Sequence, residues 1–571
     1  MNRKRLVLGG VVITVFVVAG LFAFFYWRSL AAELPWSPTP QGVFFEELLP
    51  PDISFAMSFY PTDESERQRF EKLWATLLQD KKDVILPFLA SNFTQANQTP
   101  LPLVDLLQLF GGNLQFTFAV KQNPSADRAI NAFDAYFLFT AKDPTVVRGI
   151  FERLQTADDQ VLKNTPEAFV LSRGKSSKAH IGLMGDVGFF ALTSEETMKP
   201  FIARFEKRNS FRRMASLATS KEFRLAAQFL TAPMSGYFFL APGDAEKGIA
   251  VSVVRYLAQD GGFAFDGVTL PSPGKGGDIL RSKVFQPFTP SLSTKTPLSK
   301  ALLFEETGNA GSFLLSQFGS LSTDFKQWTG FDFEADVLPF LDKDSILALE
   351  DAGGILPVVS LWIDANSPGA SEKAKTVLEK FDAKVQSWVA LGNIALPSHE
   401  AGQDKPVFDM QKLTAPFAGS KVILCLDCVS KKMINIPLLF ELVRDPLEIS
   451  YGTTVDNTVF FSTLPNFEKT FSETAKAANH PLFKRVQSLE PKPGNAVFID
   501  FEAIGASIER IVNFARSNKK FSQSEEQSYA LLKKYLSPIK SYIQSSQGDG
   551  KRMSTKAFLE IRPSIGTSTQ P

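Results

Sequence analysis

The strongest hydrophobic pattern of the chain lies at its start. Leu6–Trp27 is an unbroken run of 22 residues without a charged side chain, and Arg3, Lys4 and Arg5 precede it. A helix rises about 1.5 Å per residue, so this run is long enough to cross a hydrocarbon core of about 30 Å. Basic residues before such a segment favour a cytoplasmic N-terminus. The pattern predicts a single-pass signal-anchor in the cell membrane, with a cytoplasmic basic tip at residues 1–5 and the bulk of the chain extracytoplasmic.

A cleaved signal peptide is the alternative interpretation of the same run. The apolar part of a signal peptide usually spans about 7–15 residues, which is shorter than this segment. A weak small-residue cleavage pattern does occur at Ser29, Leu30 and Ala31. Segment length favours the uncleaved anchor. The Pro-rich residues 28–41 that follow are predicted to be an extended linker that holds the fold away from the bilayer.

Beyond the linker, strand-like and helix-like patterns follow each other along the chain. Residues 114–120 place apolar side chains at every second position, as half-buried strands do. Asp143 and Pro144 predict the start of a helix whose apolar residues recur at helical spacing. Residues 524–544 predict another helix, interrupted by Pro538. The fold class predicted is α+β, with largely antiparallel sheets packed by amphipathic helices.

Four patterns of the first part of the chain recur in the same order in the second part. Partial matches arise in any α+β chain, but four in one order favour two related halves, residues 42–290 and 298–563. The second half carries an extra stretch near 389–435, and residues 564–571 are predicted to be a disordered tail. The matched pairs are Leu106–Phe118 with Val337–Leu349, Ala135–Leu154 with Pro357–Phe381, Gly185–Thr193 with Val455–Thr463, and Phe223–Pro233 with Phe483–Pro493.

Composition describes a folded domain and argues against nucleic acid as a partner. The chain is 44% hydrophobic and 21% charged, which is typical of a globular fold. Beyond residue 32, 57 basic residues face 60 acidic ones, whereas nucleic-acid binding requires a strongly basic surface. Phe is abundant, with 53 residues against 9 Tyr and 6 Trp. Because Phe has no polar group, we expect most of these rings in the core.

The two cysteines, Cys425 and Cys428, are a possible disulfide. Their sequence context reads as a strand, and residues three apart on a strand face opposite sides, so a bond requires a turn or bulge between them. A structural pair or two free thiols is favoured over a redox pair, which usually opens a helix. Three scattered histidines, His180, His399 and His480, form no ligand cluster with them. No metal or cofactor site is predicted.

Catalytic motifs are absent or weak. The chain has no H-E-x-x-H, G-x-S-x-G or phosphate-binding loop. The S-x-x-K pattern of penicillin-binding enzymes occurs at Ser172, Ser517 and Ser537, without its companion motifs. Acidic pairs such as Asp332 with Glu334 resemble glycosidase carboxylates in type, but sequence does not give the spacing that cleavage requires. No catalytic residue is predicted, and the chain is interpreted as a non-enzyme.

The anchor, the segment LPPDISFAMSFYP (residues 49–61) and the later PKPGNAVFIDFEAI (residues 491–504) together resemble an uncharacterised family of exported bacterial proteins, the domain of unknown function 3352. The later segment departs from the first, with Pro-Lys-Pro-Gly-Asn in place of Pro-Pro-Asp. The resemblance implies an exported α+β architecture after a membrane segment. It implies no catalytic residues.

Three functions are compatible with these patterns. The first is a non-enzymatic binding or scaffold protein of the cell envelope, which has an envelope protein as its partner. The second is the binding or carriage of an apolar ligand such as a lipid, suggested by the Phe content beside a membrane anchor. The third is an unrecognised envelope hydrolase. The missing motifs favour the first.

Overall fold

The computed structural model describes the folded part of the chain with gaps. Residues 1–44 and 563–571 lie outside the described part, and so do the predicted anchor, linker and tail. The described residues are 45–61, 64–78, 115–122, 133–141, 143–173, 179–207, 214–230, 233–241, 249–273, 277, 286–288, 290–298, 300–308, 326, 332–337, 343–351, 353, 357–364, 376, 379–380, 408–412, 420–425, 448–453, 458–463, 475–490, 492–517 and 523–562.

Within these residues the chain forms two compact units. The N-terminal unit holds the described residues of 45–241 and 249–272, and the C-terminal unit holds those of 273–562. Both units are mixed α+β with a large antiparallel sheet, as the sequence predicts. No helix among the described residues is long and apolar enough to span a membrane.

In the described part of the N-terminal unit the sheet has ten strands. Neighbouring strands pair antiparallel in the order β10-β9-β8-β1-β2-β3-β7-β6-β5-β4. The strands are β1 Phe55–Phe59, β2 Phe116–Gln122, β3 Phe133–Thr140, β4 Gln160–Thr165, β5 Ala168–Ser172, β6 Ala179–Met184, β7 Val187–Leu192, β8 Gly236–Leu240, β9 Ile249–Gln259 and β10 Gly262–Pro271.

Helices cover both faces of this sheet. The predicted helix after Asp143 is confirmed: the Asp143 carboxylate accepts the N–H groups of Thr145 and Val146, and Ile150 and Phe151 are fully buried. Described helices of the unit are α1 Phe45–Leu48, α2 Glu64–Leu78, α3 Pro144–Arg153, α4 Glu195–Lys207 and α5 Lys221–Ala227.

Phenylalanine rings fill the cores of this unit. Phe189 and Phe201 meet edge to face at 5.0 Å between centroids, and Phe59 lies 4.1 Å from Phe70. Glycines mark where the packing is tightest, because a Cβ built on Gly188 would lie 2.3 Å from the Phe139 ring. In the described residues these rings therefore act as core, as their chemistry predicts.

The sheet of the C-terminal unit also has ten strands among the residues that the structure describes. Its antiparallel order is β20-β19-β18-β11-β12-β13-β17-β16-β15-β14, which repeats the order of the N-terminal unit with every strand number raised by ten. The strands are β11 Ala301–Thr307, β12 Ser345–Glu350, β13 Val358–Asp364, β14 Phe408–Lys412, β15 Ser420–Cys425, β16 Glu448–Thr453, β17 Thr458–Ser462, β18 Asn495–Asp500, β19 Ile539–Gly548 and β20 Met553–Ile561.

The four sequence matches fall on elements that occupy the same place in the two strand orders. The first match includes parts of β2 and β12, the second includes parts of β3 and β13, and the third includes β7 and β17. The fourth lies on the helices before β8 and β18. The α-helices of the C-terminal unit in the described residues are α6 Pro481–Leu489, α7 Phe501–Ser517 and α8 Gln523–Leu536, and a π-helical turn spans Phe333–Val337.

One sequence prediction about the C-terminal unit is wrong. The helix predicted over residues 524–544 ends at Leu536, and residues from Ile539 onward form β19. Pro538 cannot donate a backbone hydrogen bond, which stops the helix. Beyond it, pairing with β18 on one side and β20 on the other satisfies the backbone, so tertiary structure overrides the helical pattern.

Candidate functional site

The two units differ in one connection, which lies between β8 and β9 in the N-terminal unit and between β18 and β19 in the C-terminal unit. In the N-terminal unit residues 241–248 connect β8 to β9, whereas in the C-terminal unit residues 501–538 connect β18 to β19. The longer connection forms helices α7 and α8, which contact each other and form a hairpin. This α7–α8 hairpin is an addition that one of two similarly ordered sheets carries, which makes it a candidate for function.

The local sequence explains how the hairpin forms. Asp500, the last residue of β18, accepts the backbone N–H of Ala503 at 2.9 Å and caps the start of α7. Phe501, Ile504 and Ile508 follow at helical spacing and give α7 one apolar face. Leu536 at the end of α8 continues this apolar surface.

The apolar face of the hairpin packs on the sheet. Phe501 is buried in a cluster with Leu303 of β11 and with Val497 and Ile499 of β18. Partly buried residues complete the cluster, namely Leu349, Ile504, Leu536, Ile539, Tyr542 and Leu559. Because packed sheet residues support both helices, the surface between the helices is preformed.

A groove of about 260 Å³ opens on this hairpin. Its apolar lining includes Phe501, Leu532 and Leu536. Gly505 lies in the second turn of α7 and lines the same groove, and a Cβ added there would meet no atom within 4 Å. Because glycine has no side chain, space stays open at the groove, although a Cβ would also fit there without a clash.

Ion pairs flank the groove. Glu502 of α7 pairs with Arg562 at 2.7 Å, and about two turns further along the same face of α7, Glu509 pairs with Lys533 of α8 at 2.8 Å. The hydrogen bond from Lys533 lowers the pKa of Glu509, and the same bond raises the pKa of Lys533. The Glu509–Lys533 pair therefore stays ionised at neutral pH. All four side chains are about half exposed, so they are available to a partner.

Tyr529 lies on the groove beside two cations. The guanidinium of Arg516 lies 5.3 Å from its ring centroid and the ammonium of Lys533 lies 6.0 Å away, both within the range of cation–π attraction. Arg516 also donates two hydrogen bonds of 2.6 Å to Glu526, a bidentate geometry. These contacts hold the Tyr529 ring in place at the groove.

One of the S-x-x-K patterns of the sequence lies at the groove. Ser537 lines it, and the sequence places Ser537 and Lys540 in an S-x-x-K pattern. The Ser537 hydroxyl donates to the carbonyl of Lys534 at 3.2 Å, while Lys540 donates to Glu560 at 2.9 Å. Each residue thus has its own structural partner, whereas a nucleophile requires a base within hydrogen-bonding distance.

Acidic candidates outside the groove have structural roles. Asp332 accepts the N–H groups of Glu334 and Ala335 at 3.1 and 3.0 Å and pairs with Lys326. Asp351 binds the guanidinium of Arg510. In the described residues these acids therefore stabilise turns and ion pairs.

The histidine and cysteine candidates are not brought together within the described residues. His180 hydrogen-bonds the carbonyl of Thr193 at 3.0 Å, and His480 accepts the N–H of Leu482 at the start of α6. Cys425 is the last residue of β15. Cys428 and His399 lie outside the described residues, so the possible disulfide stays a prediction. No cluster of three potential metal ligands occurs among the described side chains.

The sequence patterns did not predict the groove, because its residues come from two helices and from the end of β20, which are separate segments of the chain. One signal was available: Gly505 interrupts an otherwise helical stretch, and a glycine there costs about 1 kcal/mol relative to alanine. A costly residue in a helix often reflects packing or function. A buried carboxyl, Glu46, was also missed, because its partners Ser58 and Tyr237 lie far along the chain.

Comparisons with known proteins give little. No family model and no curated protein matches the chain, so the resemblance to the domain of unknown function 3352 stays a prediction. Among solved structures, TP0453 is similar in crystal form I, with 6% identity and a TM-score of 0.25, and in crystal form III, with 8% and 0.24. Each match covers 41% of this chain and 82% of that chain. Similarity at this level says nothing about role.

Proposed function

We propose that this protein is a membrane-anchored, extracytoplasmic binding protein of the cell envelope, and that it binds its partner in the groove of the α7–α8 hairpin. One observation carries the proposal: a preformed groove with an apolar floor and charged rims lies on a hairpin that the similarly ordered sheet lacks. The run Leu6–Trp27 and its basic flank support the location.

The shape and charge of the groove favour an amphipathic peptide segment of another envelope protein. Glu502 and Glu509 are seven residues apart on α7, which corresponds to about 10 Å along the helix. Lys533 and Arg562 form the opposite rim. A partner helix that lays its apolar face on Leu532 and Leu536 and forms ion pairs with the charged residues of both rims fits this arrangement.

We further propose that the two units arose by duplication. Their identical strand orders and the four sequence matches in register with those orders support a common origin. Loss of constraint on one copy then accounts for the hairpin in the C-terminal unit. The halves at residues 42–290 and 298–563 are the proposed products.

Photocrosslinking from the groove tests the binding proposal. A photoreactive residue at Ala506, which is exposed on the groove, is expected to give one discrete adduct in cells, and Gly505→Leu is expected to remove it. The matched control is Asn513, which is exposed on the same helix and does not line the groove. Equal adducts from both positions, or adducts that persist in Gly505→Leu, would refute the groove as the binding site.

Protease accessibility tests the location separately. In spheroplasts with intact inner membranes, a C-terminal tag on the full chain is expected to be digested while a tag before Arg3 is protected. A protected C-terminal tag would show that the bulk of the chain is cytoplasmic.

A further inference from the structure

The first turn of the C-terminal unit is held by two carboxyl groups. The turn is the short 3-10 helix Leu292–Thr294. Asp344 Oδ2 accepts the N–H groups of Ser291 at 3.3 Å and Leu292 at 3.1 Å, and the Ser291 hydroxyl at 3.2 Å. Glu306 Oε1 accepts the next N–H, that of Ser293, at 3.0 Å. Three consecutive backbone donors thus point at two acidic side chains.

The second oxygen of each carboxyl group lacks a donor. Glu306 is fully buried, and within the described residues its Oε2 and Asp344 Oδ1 make no hydrogen bond of normal geometry. The Ser293 hydroxyl, which is also buried without a partner, is the side-chain donor that faces Glu306. The two carboxyl groups accept from adjacent N–H groups of one turn, at Leu292 and Ser293, and the charge of Asp344 acts on Glu306, so the two side chains lie side by side. Ionised carboxylates only accept hydrogen bonds, and two such charges repel strongly where water is excluded. A single proton between them satisfies both oxygens.

We propose that Glu306 and Asp344 share one proton and form a pH-sensitive latch that holds the turn at residues 291–293. The latch is closed when the proton is present, because one carboxyl then donates to the other. Loss of the proton places two negative charges side by side. Their repulsion separates the side chains and releases the backbone donors of the turn.

The strand positions that pair with Glu306 in the sheet carry no cation that could compensate the charge of the two carboxyl groups. In the sheet Glu306 pairs with Ile346 of β12 and Ala496 of β18, both apolar. The 3-10 helix Ala477–Asn479 packs against the turn and is flanked by Lys476 and His480. The Nδ1 of His480 accepts the N–H of Leu482 at 3.3 Å.

Lys295 directly follows the turn, and three further charged residues of the described part lie on or beside the strands that carry the pair, namely Lys343, Asp364 and Glu305. Lys343 is exposed, and Asp364 donates its backbone N–H to the Asp344 carbonyl at 2.8 Å. Glu305 lies on the opposite face of the strand from Glu306 and accepts from Asn495 at 2.6 Å.

The sign of the pH dependence follows from the same contacts. Burial, and then the charge of Asp344, raise the pKa of Glu306 well above its usual value. Burial also raises the pKa of Asp344. The folded chain therefore keeps a proton that the unfolded chain releases near pH 4.5. The stability from the latch is complete below that pH and is lost as pH rises through the raised pKa of the pair.

Glu306→Gln tests the latch on the full chain. The amide nitrogen of glutamine donates to Asp344 at any pH, and its oxygen still accepts the N–H of Ser293. In the wild type, hydrogen-exchange protection of residues 291–294 is expected to fall about tenfold for each pH unit above the raised pKa. In Glu306→Gln this protection is expected to stay constant over the same range. Asp344→Asn, whose amide donates to Glu306, is expected to behave in the same way.

A matched control and two contrary outcomes make the test decisive. Glu560→Gln removes a carboxyl group of the same unit that does not belong to the Glu306–Asp344 pair. This variant is expected to lose hydrogen-exchange protection at alkaline pH as the wild type does. The proposal is overturned if wild type and Glu306→Gln lose protection in parallel. It is also overturned if Ca²⁺ protects the wild-type turn at neutral pH but not that of Glu306→Gln, because the pair then binds a cation in place of a proton.

Discussion

Replacing Gly505 by alanine is expected to stabilise the C-terminal unit. Gly505 lies inside α7, where glycine costs about 1 kcal/mol relative to alanine through its extra freedom in the unfolded chain. An added Cβ would meet no atom within 4 Å, so no steric penalty offsets this gain. The free energy of unfolding should therefore rise by about 0.5–1 kcal/mol.

Leucine at the same position separates stability from binding. Gly505→Leu keeps most of the helix gain, since leucine is a good helix former, but its side chain fills part of the groove. Chemical denaturation of the purified protein, followed by circular dichroism and by Trp fluorescence, measures the stability of both variants. The reasoning is refuted if Gly505→Ala lowers the unfolding free energy, because the space beside α7 is then not open.

Three further substitutions test the packing, the electrostatics and the helix capping of the structure. Gly188→Ala is expected to lower the unfolding free energy by about 2 kcal/mol or more, since its Cβ would lie 2.3 Å from the Phe139 ring; thermal melting checks this. Burial alone would raise the pKa of Glu560, but hydrogen bonds from Arg485 and other donors lower it to about 2. Glu560→Gln should therefore reduce the free energy of unfolding by about 1–2 kcal/mol at neutral pH after solvent screening. In urea titrations this difference from the wild type should disappear as pH falls from 4.5 through 2. Asp143→Ala should cost about 1 kcal/mol in the same titrations through loss of two capping bonds, and Asp143→Asn should retain most of them.

Local patterns predicted the elements whose signals lie within a few residues. The cap at Asp143 and the inward positions Ile150 and Phe151 are confirmed because a helix start depends on neighbouring residues alone. The alternation over residues 114–120 also predicted the strand β2, whose observed range is Phe116–Gln122. The buried side chains of this strand are Thr117 and Ala119, however, and Phe118 is exposed, so the alternation predicted the strand but not its buried face. The mixed α+β class follows from the same local signals.

The features that depend on distant residues were beyond the sequence patterns. The helical pattern past Pro538 gave way to β19 because pairing partners on both sides were not visible in one segment. The groove requires α7, α8 and Arg562 to meet, and the latch requires Glu306 to meet Asp344. Such contacts are set by the order of strands in the sheet. The anchor at Leu6–Trp27 and the pair Cys425 and Cys428 stay predictions.

Hydrogen exchange of the full chain in isolated envelopes, compared with the purified protein, tests the central claim most directly. If a partner occupies the groove, protection gained in the envelope is expected on peptides covering α7 and α8, and Gly505→Leu is expected to abolish that gain while leaving the rest of the chain unchanged. Equal protection of the hairpin in both preparations, or a gain that persists in Gly505→Leu, would contradict the claim that the groove binds a partner.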